Sequence, residues 1–332
     1  MTGTANRHHG KVLAVVFLAA LAGLAPAVAY AHGTGAPEPS FPSVLASWEF
    51  DPLFMASVAL ANWAYLAAVG RANRAHPHSP VPRRQMVCFL LGMGTLVLAI
   101  MSPIAAYDTD LFSVHMVQHV LIIMIAAPLL LLGAPITLAL RASSPRVRKG
   151  VILPILHSWP VKAVSWPVFT WLLLAGVMWA SHFSSLFNGA LEHEWLHRFE
   201  HVLYLASALL FWWPAINADP SPWRMNHPMR MLYVFMQMPQ NSFLAVTIAN
   251  ATSVIFPHYA SVARDWGPSP LADQEWAGYI MWVGGDIAFL VVLACLGYGW
   301  AQHEEREGKR ADRTLARQKA AAASNARLSP PR

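Results

Sequence analysis

Apolar residues in this chain gather into runs of roughly 20 or more, separated by short polar connectors. From Asp51 onward the pattern predicts seven helices, at about 52–70, 85–106, 111–140, 164–188, 194–216, 230–256 and 275–301. Each is long enough to cross a hydrocarbon core of about 30 Å. Pro128 and Pro135 fall inside the third run and Pro239 inside the sixth, which predicts bent helices in a packed bundle. Ahead of them, Arg7 and Lys11 precede an apolar stretch from Val12 to Val28 that ends in Ala27-Val28-Ala29 and Ala29-Tyr30-Ala31. Small residues at those positions read as a cleavable secretory signal, with an uncleaved first helix as the other reading. The expected fold class is therefore an all-α integral membrane protein. Its parts are a signal peptide at 1–31, an extracytoplasmic linker at 32–50, a seven-helix transmembrane bundle at 51–303 and a disordered basic tail at 304–332.

Composition agrees with this. Of 332 residues, 56% are hydrophobic and 12% charged, against about 25% charged in soluble domains. The net charge of +6 does not point to nucleic acid, because most Lys and Arg lie in the connectors and the tail. Residues 71–84, 141–163 and 217–230 carry the basic side chains, whereas the alternate connectors carry Asp108, Asp110, Glu192, Glu194, Asp265 and Asp273 with Arg264. By the positive-inside rule the amino terminus lies outside and the carboxyl terminus in the cytoplasm, as expected for a bacterial inner-membrane protein. Cys88 and Cys295 both sit in apolar runs and provide no disulfide or thiolate site.

Topology turns scattered histidines into a constellation. His193, His197 and His201 recur every fourth residue, which places them on one helical face about 40° apart and roughly 6 Å apart in rise. His115 and His119 repeat the spacing on the third run, and both sets lie toward the outer ends of their helices. His182 and His258 reach the same level, and Asp108 lies above it. Ionisable groups in a bilayer are costly and face the bundle interior. For any one histidine a structural hydrogen bond suffices; the set points to a ligand site. Imidazole suits copper, zinc and iron, and Met116 or Met238 could add a thioether. Asp286, near mid-membrane, reads as a hydrogen-bond anchor for Gln237, Gln240 or Asn241.

Three chemistries compete for the histidine helix. His193-Glu194-Trp195-Leu196-His197 matches H-E-x-x-H, the zinc peptidase signature in which Glu activates water. His119 and His201 could hold a haem between two helices, which would leave the other imidazoles unexplained. A metal-binding factor without catalysis uses them all.

The order of motifs resembles the CtaG family of cytochrome c oxidase assembly factors, associated with caa-type haem-copper oxidases. The resemblance rests on Trp48-Glu49-Phe50-Asp51-Pro52, Ser102-Pro103, Phe112-Ser113-Val114-His115-Met116-Val117-Gln118-His119, Trp195-Leu196-His197-Arg198-Phe199-Glu200-His201, Phe211-Trp212-Trp213-Pro214, Phe256-Pro257-His258-Tyr259 and Gly278-Tyr279-Ile280-Met281-Trp282. The Met236-Gln237-Met238-Pro239-Gln240-Asn241 stretch departs from it. The resemblance implies a non-enzymatic factor acting at copper insertion into the oxidase, with oxidase subunits or copper-delivery proteins as partners. The resulting expectation is a copper site made of His115, His119, His193, His197 and His201, with Asp108 and His258 at its entrance and Glu200 behind the ligands.

Overall fold

A computed structural model describes residues 38–328. The signal expected at 1–31 lies outside the described residues. Among those described, every regular element is helical. The linker before Asp51 contains a short helix, Phe41–Ala46, closed by a Ser40–Ser43 capping box.

The bundle begins with α1, Pro52–Ala75. It starts where it does because Asp51 accepts from the amides of Leu53 and Phe54 and Pro52 takes the first helical position. Next come α2, Arg83–Met101, and α3, Phe112–Val120. The third predicted run then passes through a π turn, Leu121–Ala126, into Ala127–Leu132. Pro128 lacks the N–H an α-helix needs there and its ring crowds the preceding turn, and the wider π turn just before it absorbs that misfit. The π turn leaves the Ile123 carbonyl to accept from the indole of Trp212 at 2.8 Å.

The fourth run is broken into α4, Pro167–His182, and α5, Ser185–Glu192, which bend by 68° at the break. Then follow α6, Glu194–Ile216, α7, His227–Phe235, and α8, Gln237–Ala249. The sixth run is thus two helices meeting at Met236. Pro239 cannot donate to the preceding turn, and the helix restarts at Gln237 instead of bending through it. Last are α9, Pro270–Tyr279, another π turn at Ile280–Gly284, and α10, Gly285–Leu328. The tail from residue 304, which its sequence allows as a frayed helix or a disordered segment, is helical as far as Leu328. Ion pairs between Glu305 and Lys309 and between Glu307 and Arg310, with a run of alanines, favour that state.

Among the described residues, five helices are long and apolar enough to cross a membrane, and six if the bent α4–α5 pair counts as one. The outward face is apolar too: Leu172, Phe243, Ile287 and Val291 are more than half exposed, the surface a lipid solvent requires. The protein is an all-helical membrane protein.

Buried carboxylates and amides tie the helices together. Asp273 of α9 accepts from the Phe112 amide at 2.6 Å and the Ser113 hydroxyl at 2.5 Å, and so caps α3 from another helix. Asp219 likewise caps Pro135–Ala142 through the amides of Ile136 and Thr137. Asp286 accepts from Ser242 at 3.0 Å, so its anchor is that hydroxyl and none of the three amides the sequence suggested. Asn241 donates instead to the Met281 carbonyl in the Ile280–Gly284 π turn at 3.1 Å.

Close helix contact does the rest. A Cβ on Gly278 would lie 2.6 Å from the Ala249 Cβ and 2.8 Å from the Ala245 carbonyl. Gly278→Ala is expected to destabilise the detergent-solubilised protein by about 1–3 kcal/mol, since overpacking forces the two helices apart. Gly176→Ala, with open space around it, should leave thermal unfolding unchanged or slightly raised, and a scan of both variants checks the contrast.

Candidate metal centre

The α3 N-terminus, the first turns of α6 and the connector carrying Asp108 meet at one end of the bundle. His115 and His119 lie one turn apart on α3 with ring centroids 4.3 Å apart. His197 stacks on His115 at 5.2 Å, and His201 lies 4.4 Å from His197. His115 is fully buried, and Glu200 is only 6% exposed. Phe112, Phe187, Phe256 and Tyr259 pack together beside them, with Phe187 touching both His115 and His182. The bend between α4 and α5 is what returns Phe187 to this position.

Spacing decides what these groups can do. Glu200 Oε2 lies 3.8 Å from His115 Nε2 and 4.0 Å from His119 Nε2, and Asp108 Oδ2 lies 3.7 Å from His197 Nε2. These separations exceed hydrogen-bond length. Both nitrogens of His115 and His119 and both oxygens of Glu200 are buried without a hydrogen bond, although buried polar groups are nearly always satisfied. A metal holding nitrogen and oxygen ligands at about 2.0–2.2 Å places them roughly 3–4 Å from one another. Two overlapping triads come close to that spacing, Asp108–His115–His197 and His115–His119–Glu200, with ligand atoms within 4.8 Å of one another in each. Neutral imidazoles and two carboxylates suit a divalent or monovalent cation of the copper and zinc kind. The residues therefore fit a metal.

A hydrogen-bonded chain orients the set. Gln118 donates to Asp108 Oδ2 at 2.8 Å and to the Ala99 carbonyl at 2.9 Å, while its own carbonyl oxygen faces His201 Nε2 at 2.8 Å. An amide oxygen only accepts, so His201 Nε2 carries the proton. That nitrogen is committed to Gln118 and not to a shared ion; His201 positions Gln118, which positions Asp108. Burial pushes the Asp108 carboxyl above its usual range, and Glu49, Glu200 and Asp110 add to that, while the Gln118 donor opposes it. A cation between Asp108 and His197 would reverse that balance.

Of the expected site residues, Asp108, His115, His119 and His197 converge, and Glu200 joins them directly instead of standing behind. His258 faces the Thr109 carbonyl at 2.9 Å, while Tyr259 donates to the Asp108 carbonyl at 2.8 Å. His258 thus holds the connector at the entrance. His193 stands apart: it is the exposed N-cap of α6 with extended backbone, φ −130°, and belongs to neither triad. Glu194 pairs with Arg198, which also binds Asp51 at 2.6 Å, so the H-E-x-x-H string does not gather around one point. His119 and His201 stand edge-on with centroids 6.1 Å apart and Tyr204 against His119 at 4.4 Å, which favours an ion over a macrocycle between them. Sequence reasoning passed over Gln118, although its place one residue before His119 and on the face of Asp108's connector was a usable signal.

Residues 63–303 match the family model described as cytochrome c oxidase caa3 assembly factor, Caa3_CtaG. The chain belongs to this family. All of the converging residues lie within the matched region. Among curated proteins, the uncharacterised protein ML1998 of Mycobacterium leprae (strain TN) is 32% identical over 274 residues, covering 80% of this chain and 41% of its own length. The uncharacterised protein Mb0105 of Mycobacterium bovis is 30% identical over 282 residues, covering 83% of this chain and 42% of its own length. The chain thus spans about two-fifths of these curated relatives. No solved structure matches it.

Gln118→Leu removes the link between His201 and Asp108 and takes away the Gln118 partner of three buried groups, His201 Nε2, Asp108 Oδ2 and the Ala99 carbonyl. It is expected to cost about 1–3 kcal/mol, seen as earlier thermal unfolding of metal-free protein in detergent, with Gln118→Glu intermediate.

Proposed function

We propose that this member of the oxidase assembly family is a non-enzymatic, seven-span protein of a bacterial inner membrane that binds copper and hands it to the catalytic subunit of a haem-copper oxidase. The count takes α4 with α5 as one span and α7 with α8 as another. The charge of the connectors then sets the amino terminus and the histidine cluster on the extracytoplasmic side. One observation carries the metal reading: His115 and His119 of one helix and Glu200 of another are buried within ligand-sharing distance, and none of their ring nitrogens or carboxylate oxygens makes a hydrogen bond. Desolvating these three side chains is costly, and coordination to an ion offsets that cost. The ion is copper because the family serves an oxidase whose chemistry uses it.

Oxidase subunits, or proteins that deliver copper from outside, are the partners of this reading. The way in lies past Asp108 and His258, at the membrane face where such partners would dock.

Copper analysis of purified protein tests the site. His119→Ala combined with His197→Ala removes one ligand from each triad, and copper bound per chain is expected to fall at least tenfold. Unchanged copper in that variant would sink the site. In cells under limiting copper, deletion is expected to diminish the haem-copper oxidase spectrum and its activity; intact oxidase would remove the assembly role.

A further inference from the structure

Inward of the histidine–carboxylate cluster lies a small cavity of about 20 Å³ whose lining includes Met116, Met124, Met178 and Met281 together with His119 and His182. Four methionines drawn from three separate stretches of the chain line one space large enough for a single water-sized occupant, and Gln240 Nε2 reaches the Met178 sulfur at 3.8 Å. Methionine fills gaps in many cores, but three further observations set this cavity apart.

First, His182 Nδ1 lies 2.8 Å from the Met178 carbonyl. A carbonyl only accepts, so Nδ1 holds the proton and Nε2 presents its lone pair. That Nε2 is buried and makes no hydrogen bond. A nitrogen fixed in this tautomer by a backbone carbonyl is in the state in which histidine binds metals. Second, two of the three π turns among the described residues border the cavity, Leu121–Ala126 through Met124 and Ile280–Gly284 through Met281. Each has a carbonyl taken by a side chain of another helix, Trp212 on Ile123 and Asn241 on Met281. Single π turns concentrate at functional sites because the extra residue redirects side chains. Third, His119 belongs both to the cavity lining and to the outer triad, where Glu200 Oε2 lies 4.0 Å from its Nε2. A carboxylate next door supplies the counter-charge a cation needs in an apolar interior.

We propose that this cavity is a second, soft metal site that takes Cu(I), or its mimic Ag(I), through His182 Nε2 and the methionine thioethers, one step inward from the histidine–carboxylate cluster. It rests on the copper reading above and adds to it a position with different chemical preference: nitrogen and carboxylate ligands outside, sulfur and nitrogen inside. Thioethers bind soft monovalent ions and discriminate against Zn(II). The two positions share His119, so one ion can pass from the outer ligands to the inner ones without leaving coordination.

The test uses the purified full chain in detergent, loaded without oxygen with Cu(I), Ag(I) or Zn(II), and two volume-conserving double variants, Met116→Leu with Met178→Leu and Met124→Leu with Met281→Leu. Such swaps are well tolerated in cores, and a thermal scan confirms folding. X-ray absorption of the Cu(I)-loaded protein is expected to show sulfur bonded directly to copper. At least one double variant should lose that sulfur signal and bind Ag(I) at least tenfold more weakly, with Zn(II) binding unchanged. Nitrogen and oxygen scattering alone, or Ag(I) affinity unaffected in both variants, would mean that the methionines only pack, and the inner site would be overturned while the outer one survives. A chain that binds neither Zn(II) nor copper would overturn both.

Discussion

The rest of the bundle is arranged around groups that an apolar interior should not contain: two imidazoles and a carboxylate with no hydrogen bond to any neighbour. Leaving them so is destabilising, and the surroundings are built to hold them in place despite it. The aromatic side chains of Phe112, Phe187, Phe256 and Tyr259 keep water away on one side. Gln118 fixes Asp108 on another. Helix α3 is capped by Asp273 instead of by a residue of its own, which sets the rotation of His115 and His119 toward α6. An environment this rigid and dry makes any ion it holds strongly bound by charge and geometry together.

The irregular backbone has a matching logic. Two π turns, a 68° bend and a helix break interrupt what sequence pattern alone renders as four simple spans. Each of these π turns has a polar consequence that a neighbouring helix answers: Trp212 takes the Ile123 carbonyl and Asn241 the Met281 carbonyl. In a bilayer no water is available for those carbonyls, so the irregularities and the side chains that answer them have to occur together.

Much of this was legible in the sequence. Apolar runs located the helices, and the four-residue spacing of the histidines brought His115, His119 and His197 to one place. The family resemblance is borne out over residues 63–303. Three features were not legible. His193 keeps the spacing but precedes the first helical residue, and once the backbone is extended a helical period says nothing about direction. Gln118 looked like one polar residue among several, because its importance comes from Ala99 and Asp108 on other elements. The helical state beyond residue 304 depends on local ion pairs and alanines, which compete closely with disorder and leave little trace in a hydropathy pattern.

The capping of α3 by Asp273 also bears on when the site comes into being. Phe112 and the carboxylate that receives its amide are 161 residues apart in the chain. During synthesis His115 and His119 enter the membrane long before α9 exists. Until that late helix docks, α3 lacks the fastening that turns its imidazoles toward Glu200. A helix made long after α3 is therefore what completes the cluster, and a chain that lacks it carries the same side chains without their final arrangement.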